Sequence, residues 1–271
     1  MSGVLKDLTV SRLVEAIEAN QFEFSADLGR SSQVELHKER DVVWFVSGLP
    51  FPTFNRVLRA QFETSDVDAK IKTALAPFKS RNVPMTWHTG PTTRPADLGL
   101  RLIAHGLTCV KDEPGMAVDL LALDDELVIP SALTIERVSD VEGLRKWCAV
   151  FALAFGLPDG VTRAMLGVEV DLGVGRHPWR RLYVGRLEGE AVATSLLFLG
   201  AGVAGIYAVG TVPGARRRGI GKAMTVAPLL EARAMGYRIG VLHASPMGLK
   251  VYRRLGFQEY CRLRRYLWSG G

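Results

Sequence analysis

The chain of 271 residues is 48% hydrophobic and 23% charged, with a formal net charge of +6 and three cysteines. This composition describes an ordinary soluble globular protein with ample material for a core, and the length predicts two domains. No run approaches the roughly 18 uncharged apolar residues that a membrane span needs, so we expect no membrane partner.

The N-terminus, MSGVLKDLTV, has no basic region followed by a hydrophobic core, which argues against a secretory signal. Cys109, Cys148 and Cys261 are far apart and lack metal-ligand spacing. We interpret them as buried reduced thiols. The sequence therefore predicts a cytoplasmic protein without a metal site.

The charge is unevenly distributed along the chain. Residues 1–130 contain 14 Lys and Arg against 18 Asp and Glu, a net charge of −4. The remainder contains 20 against 10, a net charge of +10. This asymmetry indicates that the second half meets an anion, and a nucleic acid is one such anion.

The first half predicts a mixture of helices and strands. Helices are predicted over residues 4–20, Val67–Lys79 and Asp97–His105. Strands are predicted over Asp41–Gly48, Val83–Thr89 and Leu107–Leu121, and the prolines of LPFPTFNRVL predict turns. The acidic segment Asp124–Pro130, which ends in proline, predicts a linker between domains at 1–125 and 131–271.

The second half predicts a strand meander followed by alternating strands and helices. Helices are predicted over Val141–Phe155, Gly160–Val170, Arg217–Met235 and Leu249–Leu255. Strands are predicted over Leu133–Val138, Leu182–Leu187, Val192–Leu199, Val203–Val212, Arg238–Ala244 and Phe257–Leu267. This order indicates an α+β or α/β layer fold with a mixed sheet.

A short internal similarity links the two halves. WHTGP at Trp87–Pro91 is similar to LHASP at Leu242–Pro246, and a predicted helix ending in HGL or LGF follows each. The distance from the histidine to the glycine of that ending is 18 residues in one half and 13 in the other. The similarity indicates two related halves, although chance is the alternative.

The segment RRRGIGKAMT brings four cations and two glycines to the start of a predicted helix. Glycine-rich turns before helices usually bind phosphate, because unpaired N–H groups and the helix dipole both point at the anion. A Walker loop is excluded because Ile220, not lysine, follows Gly219. A Rossmann turn is excluded because Met224 occupies the place of its third glycine.

The pattern that remains is R-x-x-G-x-G, formed by Arg216, Gly219 and Gly221. Glycines at 219 and 221 allow a ligand to approach the backbone closely. The N–H groups from Arg217 through Ile220 to Ala223 can then converge on a diphosphate, and Arg217, Arg218 and Lys222 add charge-assisted bonds. Cations oppose the dipole at a helix start, so a merely structural turn does not explain them.

Two motifs together resemble the GNAT superfamily of acetyl-CoA-dependent N-acetyltransferases. YAVGTVPGARRRGIGKAM is similar to that family's fourth strand and pyrophosphate loop. The run Ser245-x-x-Gly248-x-x-x-Tyr252-x-x-x-Gly256-Phe257 is similar to its second motif, although the family often has asparagine in place of the serine. The resemblance covers residues 133–271. It implies a GNAT fold of α+β class, with a degenerate copy lacking the cofactor loop in the first half.

The resemblance implies a role for each matched residue. The main chain of Val209, Gly210 and Thr211 would hold the pantetheine arm of coenzyme A, and Ser245 would bond one of its amides. Tyr252 would protonate the departing thiolate or donate a hydrogen bond to it. A small-molecule or protein amine would attack the thioester of acetyl-CoA directly, and the resemblance leaves a homodimer open.

The residue that accepts the proton of the amine is not assigned by sequence. No Asp or Glu occurs from Ala191 to Gly214, where many family members have a carboxylate. Candidates are His243, Tyr207, and Glu169 or Asp171 through water; alternatively the amine arrives deprotonated. The missing carboxylate also keeps open a catalytically weak module that senses acyl-CoA. Nucleic-acid binding is disfavoured, because no aromatic-interleaved basic surface or helix-turn-helix signature accompanies the charge.

Overall fold

The computed structural model describes residues 3–63, 65–123 and 130–270. The fold consists of two compact units, each assembled from two segments of the chain. The first unit contains residues 1–20 and 115–260, and the second contains residues 21–114 and 261–271. The predicted domains were contiguous ranges, whereas each observed unit also takes one end of the chain. Apart from Pro130, the predicted linker Asp124–Pro130 lies outside the described residues.

The described chain contains both helices and strands, in an order that mixes strand hairpins with strand–helix–strand units. The α-helices are α1 (Val10–Ala26), α2 (Val67–Ser80), α3 (Leu98–Ala104), α4 (Val141–Phe155), α5 (Asp159–Leu172), α6 (Ile220–Ala234) and α7 (Pro246–Arg254). The strands are β1 (Glu35–Lys38), β2 (Val42–Val46), β3 (Arg56–Ala60), β4 (Met85–Thr89), β5 (Thr108–Asp119), β6 (Leu133–Arg137), β7 (Arg180–Leu187), β8 (Glu190–Gly200), β9 (Val203–Thr211), β10 (Ile239–His243) and β11 (Gln258–Trp268).

In the first unit the strands follow the order β5-β10-β9-β8-β7-β6, with residues 115–119 of β5 at one edge. All neighbours are antiparallel except β9 and β10, which run parallel and are connected through α6. Apolar side chains of α6, including Met224 and Leu229, are buried against the strands. The predicted mixed sheet and α+β class are confirmed.

The second unit repeats one part of this plan. Its strands follow the order β1-β2-β3-β4-β11, with residues 261–268 of β11 at the edge. The pair β3 and β4 is parallel and connected through α2, while the other neighbouring pairs are antiparallel. Ile71, Leu75 and Phe78 on α2 are fully buried against Trp87 and its neighbours.

Local signals explain why the predicted α4 matches the observed helix at both ends. The Asp140 carboxylate accepts a hydrogen bond from the Gly143 N–H at 2.7 Å, which satisfies one of the free donors at a helix start. Gly156 ends the helix in the left-handed conformation, with φ of 65°. Both signals are read within a few residues of the helix, so sequence alone is sufficient.

Three predictions of local structure need correction. The first helix was expected over residues 4–20 but begins at Val10 and continues to Ala26. The strands β1 and β3 were not predicted, because β1 is short and only turns were expected across LPFPTFNRVL. None of the three cysteines forms a disulfide, but only Cys148 is buried; Cys109 is exposed and Cys261 is intermediate.

Candidate functional site

The loop between β9 and α6 is built to expose main-chain N–H groups. A short 3-10 turn, Pro213–Ala215, follows β9, and Arg217 and Gly219 then adopt positive φ angles of 63° and 79°. Gly219 precedes the helix without a capping side chain. A Cβ on Gly221 would have no atom within 4 Å, so the first turn of α6 borders open space.

Of the seven main-chain donors predicted for the anion site, residues 217–223, all but one lack a partner in the described chain. The N–H groups of residues 217–222 donate to no other residue of the described chain. The N–H of Ala223, which we expected to join them, donates to the Gly219 carbonyl at 3.1 Å. This bond is the first of the helix, so Ala223 is corrected from ligand donor to helix donor.

The charges at this helix start are all positive. Arg217, Arg218 and Lys222 are exposed and form no ion pair with a described residue. The first turn of α6 contains no acidic side chain. Donors without a partner in the described chain, the positive end of the helix dipole and three exposed cations thus all lie within residues 217–222, a combination that suits a polyanion.

Arg216 has a structural contact that the sequence did not reveal. Its Nε donates to the Thr211 carbonyl at 3.0 Å, and a terminal guanidinium nitrogen donates to the Ala154 carbonyl at 2.9 Å. Ala154 lies in the last turn of α4, where carbonyl groups lack helical partners. The Arg216 side chain therefore connects the loop to β9 and α4. As the arginine of R-x-x-G-x-G it was expected to bind the cofactor, and these two contacts give it a structural role instead.

The strands β9 and β10 pair over only part of their length. The parallel register joins Ala204, Gly205 and Ile206 of β9 to residues 240–242 of β10. Residues 207–211 of β9 have no partner in β10, although Tyr207, Gly210 and Thr211 pair with β8. The edge of β9 that holds Val209, Gly210 and Thr211 is therefore open on the β10 side, as expected for a strand that pairs with a peptide-like ligand.

A bulge shapes this open edge. The register with β8 shifts between Thr194 and Leu196, and Ala208 has a φ of 52°. The Thr194 hydroxyl donates to the Ala208 carbonyl at 2.8 Å, which stabilises the bulge. On Gly210 a Cβ would lie 2.7 Å from the Phe155 ring, so glycine is required there for α4 to pack closely.

Tyr252 lies on α7 and is 9% exposed. Its ring packs over Gly248, where a Cβ would lie 2.6 Å from the ring, and against Phe257 at 6.0 Å between centroids. Burial raises the pKa of Tyr252 to about 12, against the smaller opposite effect of a hydrogen bond with Thr225. The phenol therefore keeps its proton at neutral pH.

Thr225 connects Tyr252 to the loop. Its hydroxyl donates to the Gly221 carbonyl at 2.8 Å, one turn earlier in α6. The same hydroxyl is a neighbour of the Tyr252 phenol. The second motif and the glycine loop are thus joined through one side chain, which no motif in the sequence indicated.

Ser245 caps the helix that carries Tyr252. Its side-chain oxygen accepts from the Gly248 N–H at 3.3 Å, and Pro246 begins the helix. The serine is exposed, and its hydroxyl proton is still available to a ligand. The predicted bond to an amide stays a prediction beside this observed role.

Glu169 and Tyr207, two of the candidate bases, form hydrogen bonds with other side chains. Glu169 is buried and forms an ion pair with the buried Arg180, whose Nε and one terminal nitrogen donate to the two carboxylate oxygens. The Tyr207 hydroxyl donates to the Asn20 side chain at 2.7 Å. His243 lies at the end of β10 with its ring 6.1 Å from that of Tyr207, and Asp171 is exposed at the end of α5.

Asn20 and Phe155 are residues near this region that the sequence did not single out. Asn20 is fully buried and donates to the Gly200 carbonyl at 2.9 Å, so it fixes the β8–β9 hairpin as well as Tyr207. Phe155 ends a row of aromatic rings on α4, with Trp147 and Phe151 at i−8 and i−4. Only the spacing of the row was visible in the sequence; the buried asparagine had no local signal.

The described residues contain neither a metal-binding cluster nor a helix able to span a membrane. No group of three or more His, Cys, Asp or Glu side chains there is placed to hold a metal ion. Across the same residues, every helix is too short or too polar to traverse a bilayer.

Comparisons with known proteins agree with this geometry. Residues 200–260, which include β9, the loop and α7, match the family model described as an acetyltransferase (GNAT) domain. The comparison with curated protein sequences gave no match.

Several solved structures share the fold. A GCN5-related N-acetyltransferase from Kribbella flavida matches with a TM-score of 0.70 and 21% identity, over 94% of this chain and 96% of that one. One from Sphaerobacter thermophilus matches with 0.60 and 19%, over 99% and 95%. A tandem GNAT protein from the clavulanic acid biosynthesis pathway matches with 0.60 and 14%, over 100% and 98%.

These structural matches show that the chain has the GNAT fold over nearly its whole length. The match to the acetyltransferase domain falls on the segment that carries the loop and the tyrosine motif. The chain therefore has the GNAT fold, and its segment 200–260 is similar to a GNAT acetyltransferase domain.

Proposed function

We propose that this protein is an N-acetyltransferase that transfers the acetyl group of acetyl-CoA to an amine acceptor, either a small molecule or a protein amine. The observation that carries the proposal is the row of N–H groups at residues 217–222, which have no partner in the described chain. Acetyl-CoA would supply an acetyl group already activated as a thioester.

The residues present fit coenzyme A. The N–H groups of residues 217–222, with Arg217, Arg218 and Lys222, suit a diphosphate because they combine free donors with positive charge. Gly221 borders open space, so the backbone there is accessible. The open edge of β9 at residues 207–211 offers donors and acceptors to the amides of the pantetheine arm. Arg216 acts as a positioning residue through its two carbonyl contacts.

Tyr252 is proposed as the hydrogen-bond donor to the departing thiolate. Its pKa of about 12 keeps the proton on the phenol throughout the neutral range. Complete transfer to a thiolate, whose conjugate acid has an ordinary pKa of about 8.5, would be uphill by roughly 5 kcal/mol. The hydrogen bond, rather than full protonation, is therefore the contribution expected of Tyr252.

The amine is proposed to bind in its neutral form. Glu169 is held in an ion pair with Arg180, and the sequence of β9 contains no carboxylate. With no base in place on β9, the fraction of neutral amine sets the rate at low pH. We expect kcat/KM to rise with pH until the pH passes the pKa of the acceptor amine. The midpoint of this rise should shift with the pKa of the amine from one acceptor to another.

The first half is proposed as a degenerate copy of the same fold without a cofactor loop. The pair β3 and β4 with α3 corresponds in order to β9 and β10 with α7, and WHTGP and LHASP begin within these second strands. The turn between β3 and α2 contains none of the glycines of the R-x-x-G-x-G pattern.

The absence of a carboxylate on β9 favours a second candidate, a module that binds acyl-CoA without turnover. A panel of amines incubated with acetyl-CoA and the protein, with the released thiol measured, separates the two functions. Thiol release that depends on the amine supports the transferase. Binding of acetyl-CoA by calorimetry without thiol release for any amine would support the sensor, and absence of binding would contradict both.

A further inference from the structure

The second unit contains two arginines for which the described chain provides no counter-ion. Arg56 and Arg59 lie on β3, and neither forms an ion pair with a described residue. The Nε of each is buried and has no hydrogen-bond partner. Within the described chain, Arg56 donates one long hydrogen bond of 3.5 Å to the Ser25 hydroxyl. Both side chains are half-buried, and charges removed from water in this way are normally paired.

A bulge in the sheet brings both arginines to one face. Residues three apart on a regular strand point to opposite faces. Here the register between β2 and β3 shifts, so that Arg56 pairs with Phe45 and Arg59 pairs with Val43 while Leu58 has no partner. Because Val43 and Phe45 are two residues apart on β2, their partners share a face.

The surroundings of this pair are aromatic and positively charged. The Arg56 guanidinium lies 5.9 Å from the Phe45 ring centroid, and that of Arg59 lies 5.4 Å from the Phe22 ring. Burial, together with the charge of Arg265, lowers the pKa of Arg56 to about 9. The Glu113 carboxylate is already paired with Arg265 and forms no ion pair with Arg56.

We propose that Arg56 and Arg59 form an oxyanion-binding site in the second unit, which takes a carboxylate or phosphate group of a small molecule. Two planar guanidinium groups on one face suit the oxygens of either group, since each can donate two parallel hydrogen bonds. The rings of Phe22 and Phe45 support the guanidinium groups and leave their N–H edges to the ligand. None of these residues takes part in the proposed acetyl-CoA site, so this inference stands independently of it.

The test measures binding of inorganic phosphate and of succinate to the full chain by calorimetry, without acetyl-CoA and at ionic strength held constant with sodium chloride. We expect at least one probe to bind the native protein, and the affinity to fall about tenfold or more in Arg59→Gln and in Arg56→Gln. Arg40→Gln is the matched control, because Arg40 is exposed in the same unit. Preference for one probe identifies the phosphate or the carboxylate as the natural group.

A second measurement distinguishes a binding role from a packing role. If the arginines serve a bound anion, Arg56→Gln removes an uncompensated charge, and the thermal midpoint without anion should stay the same or rise. Arg59→Lys, which keeps the charge but loses the fork, should bind with intermediate affinity. Binding of neither probe to the native protein, or equal affinity in the native protein, Arg59→Gln and Arg40→Gln, would overturn the proposal.

Discussion

The two units each contain a pair of parallel strands connected by a helix, and the pairs end differently. In the first unit β9 and β10 stop pairing after Ile206, and the edge of β9 stays open. In the second unit β3 and β4 pair only at two positions, after which the chain covers the edge itself. The N–H of Arg94 donates to the Ala60 carbonyl, and the N–H of Phe62 donates to the Arg94 carbonyl.

The helices that follow β9 and β3 also differ at their first turns. The first turn of α6 has no acidic residue and follows a loop of glycines and arginines. The first turn of α2 contains Asp68, and Glu63 and Asp66 precede it. Carboxylates at a helix start satisfy the positive end of the dipole, so α2 does not need an external anion there. The comparison teaches that the shared backbone provides the place for a ligand, while the loop decides whether the chain or a ligand fills it.

The largest expected effect comes from blocking the ligand space at the start of α6 with a side chain of the protein itself. Gly221→Trp places an indole in the open space beside the free N–H groups. We expect acetyl-CoA affinity to fall by at least about a hundredfold, or about 2.7 kcal/mol, in calorimetry.

The matched control is Ala234→Trp, at the exposed far end of the same helix, which should bind normally. Circular dichroism checks that both variants are folded. Normal affinity in Gly221→Trp would break the comparison, since coenzyme A would then have to bind elsewhere.

The second effect concerns chemistry rather than binding. Tyr252→Phe removes the phenolic donor but keeps the ring that packs over Gly248. We expect kcat to fall roughly tenfold to hundredfold, the worth of a hydrogen bond to a charged group, with little change in acetyl-CoA affinity. The folded pKa of about 12 lies above the ordinary value of 10, so the phenol stays neutral as pH rises to 10. Steady-state rates should therefore show no loss from this group between pH 7 and 10, and an unchanged kcat in the variant would make the hydroxyl dispensable.

A third measurement compares the two strand pairs directly. Hydrogen exchange should be fast at the amides of residues 217–222 in the free protein and slow about tenfold or more with saturating acetyl-CoA. The Phe62 and Arg94 amides, which already have carbonyl partners, should exchange slowly in both states. The opposite pattern, with protection gained at Phe62, would place the ligand in the second unit.

The smallest effect separates the arginines of the loop. Arg218→Ala removes one exposed charge, and we expect acetyl-CoA affinity to fall about two- to fivefold, with a weaker dependence on salt. Arg216→Ala should instead lower thermal stability as well, because two carbonyl contacts are lost. Equal effects on stability would contradict the separate role given to Arg216.

The sequence by itself determined most elements and the position of the glycine loop. The bounds of α4 follow from signals within a few residues, and the glycines of R-x-x-G-x-G indicate where a ligand can approach the backbone. The short strand β3 was not predicted, because only turns were expected from the prolines before it.

Only the tertiary structure decided which groups stay unpaired. Whether the edge of β9 is open depends on where β10 stops, and whether Arg216 or Arg217 is free depends on the distant Ala154 carbonyl. Each unit is also built from two separate segments of the chain, and contacts between residues far apart in sequence decide this. Periodicity and turn signals act over a few residues, whereas hydrogen-bond partners across a sheet can lie anywhere in the chain.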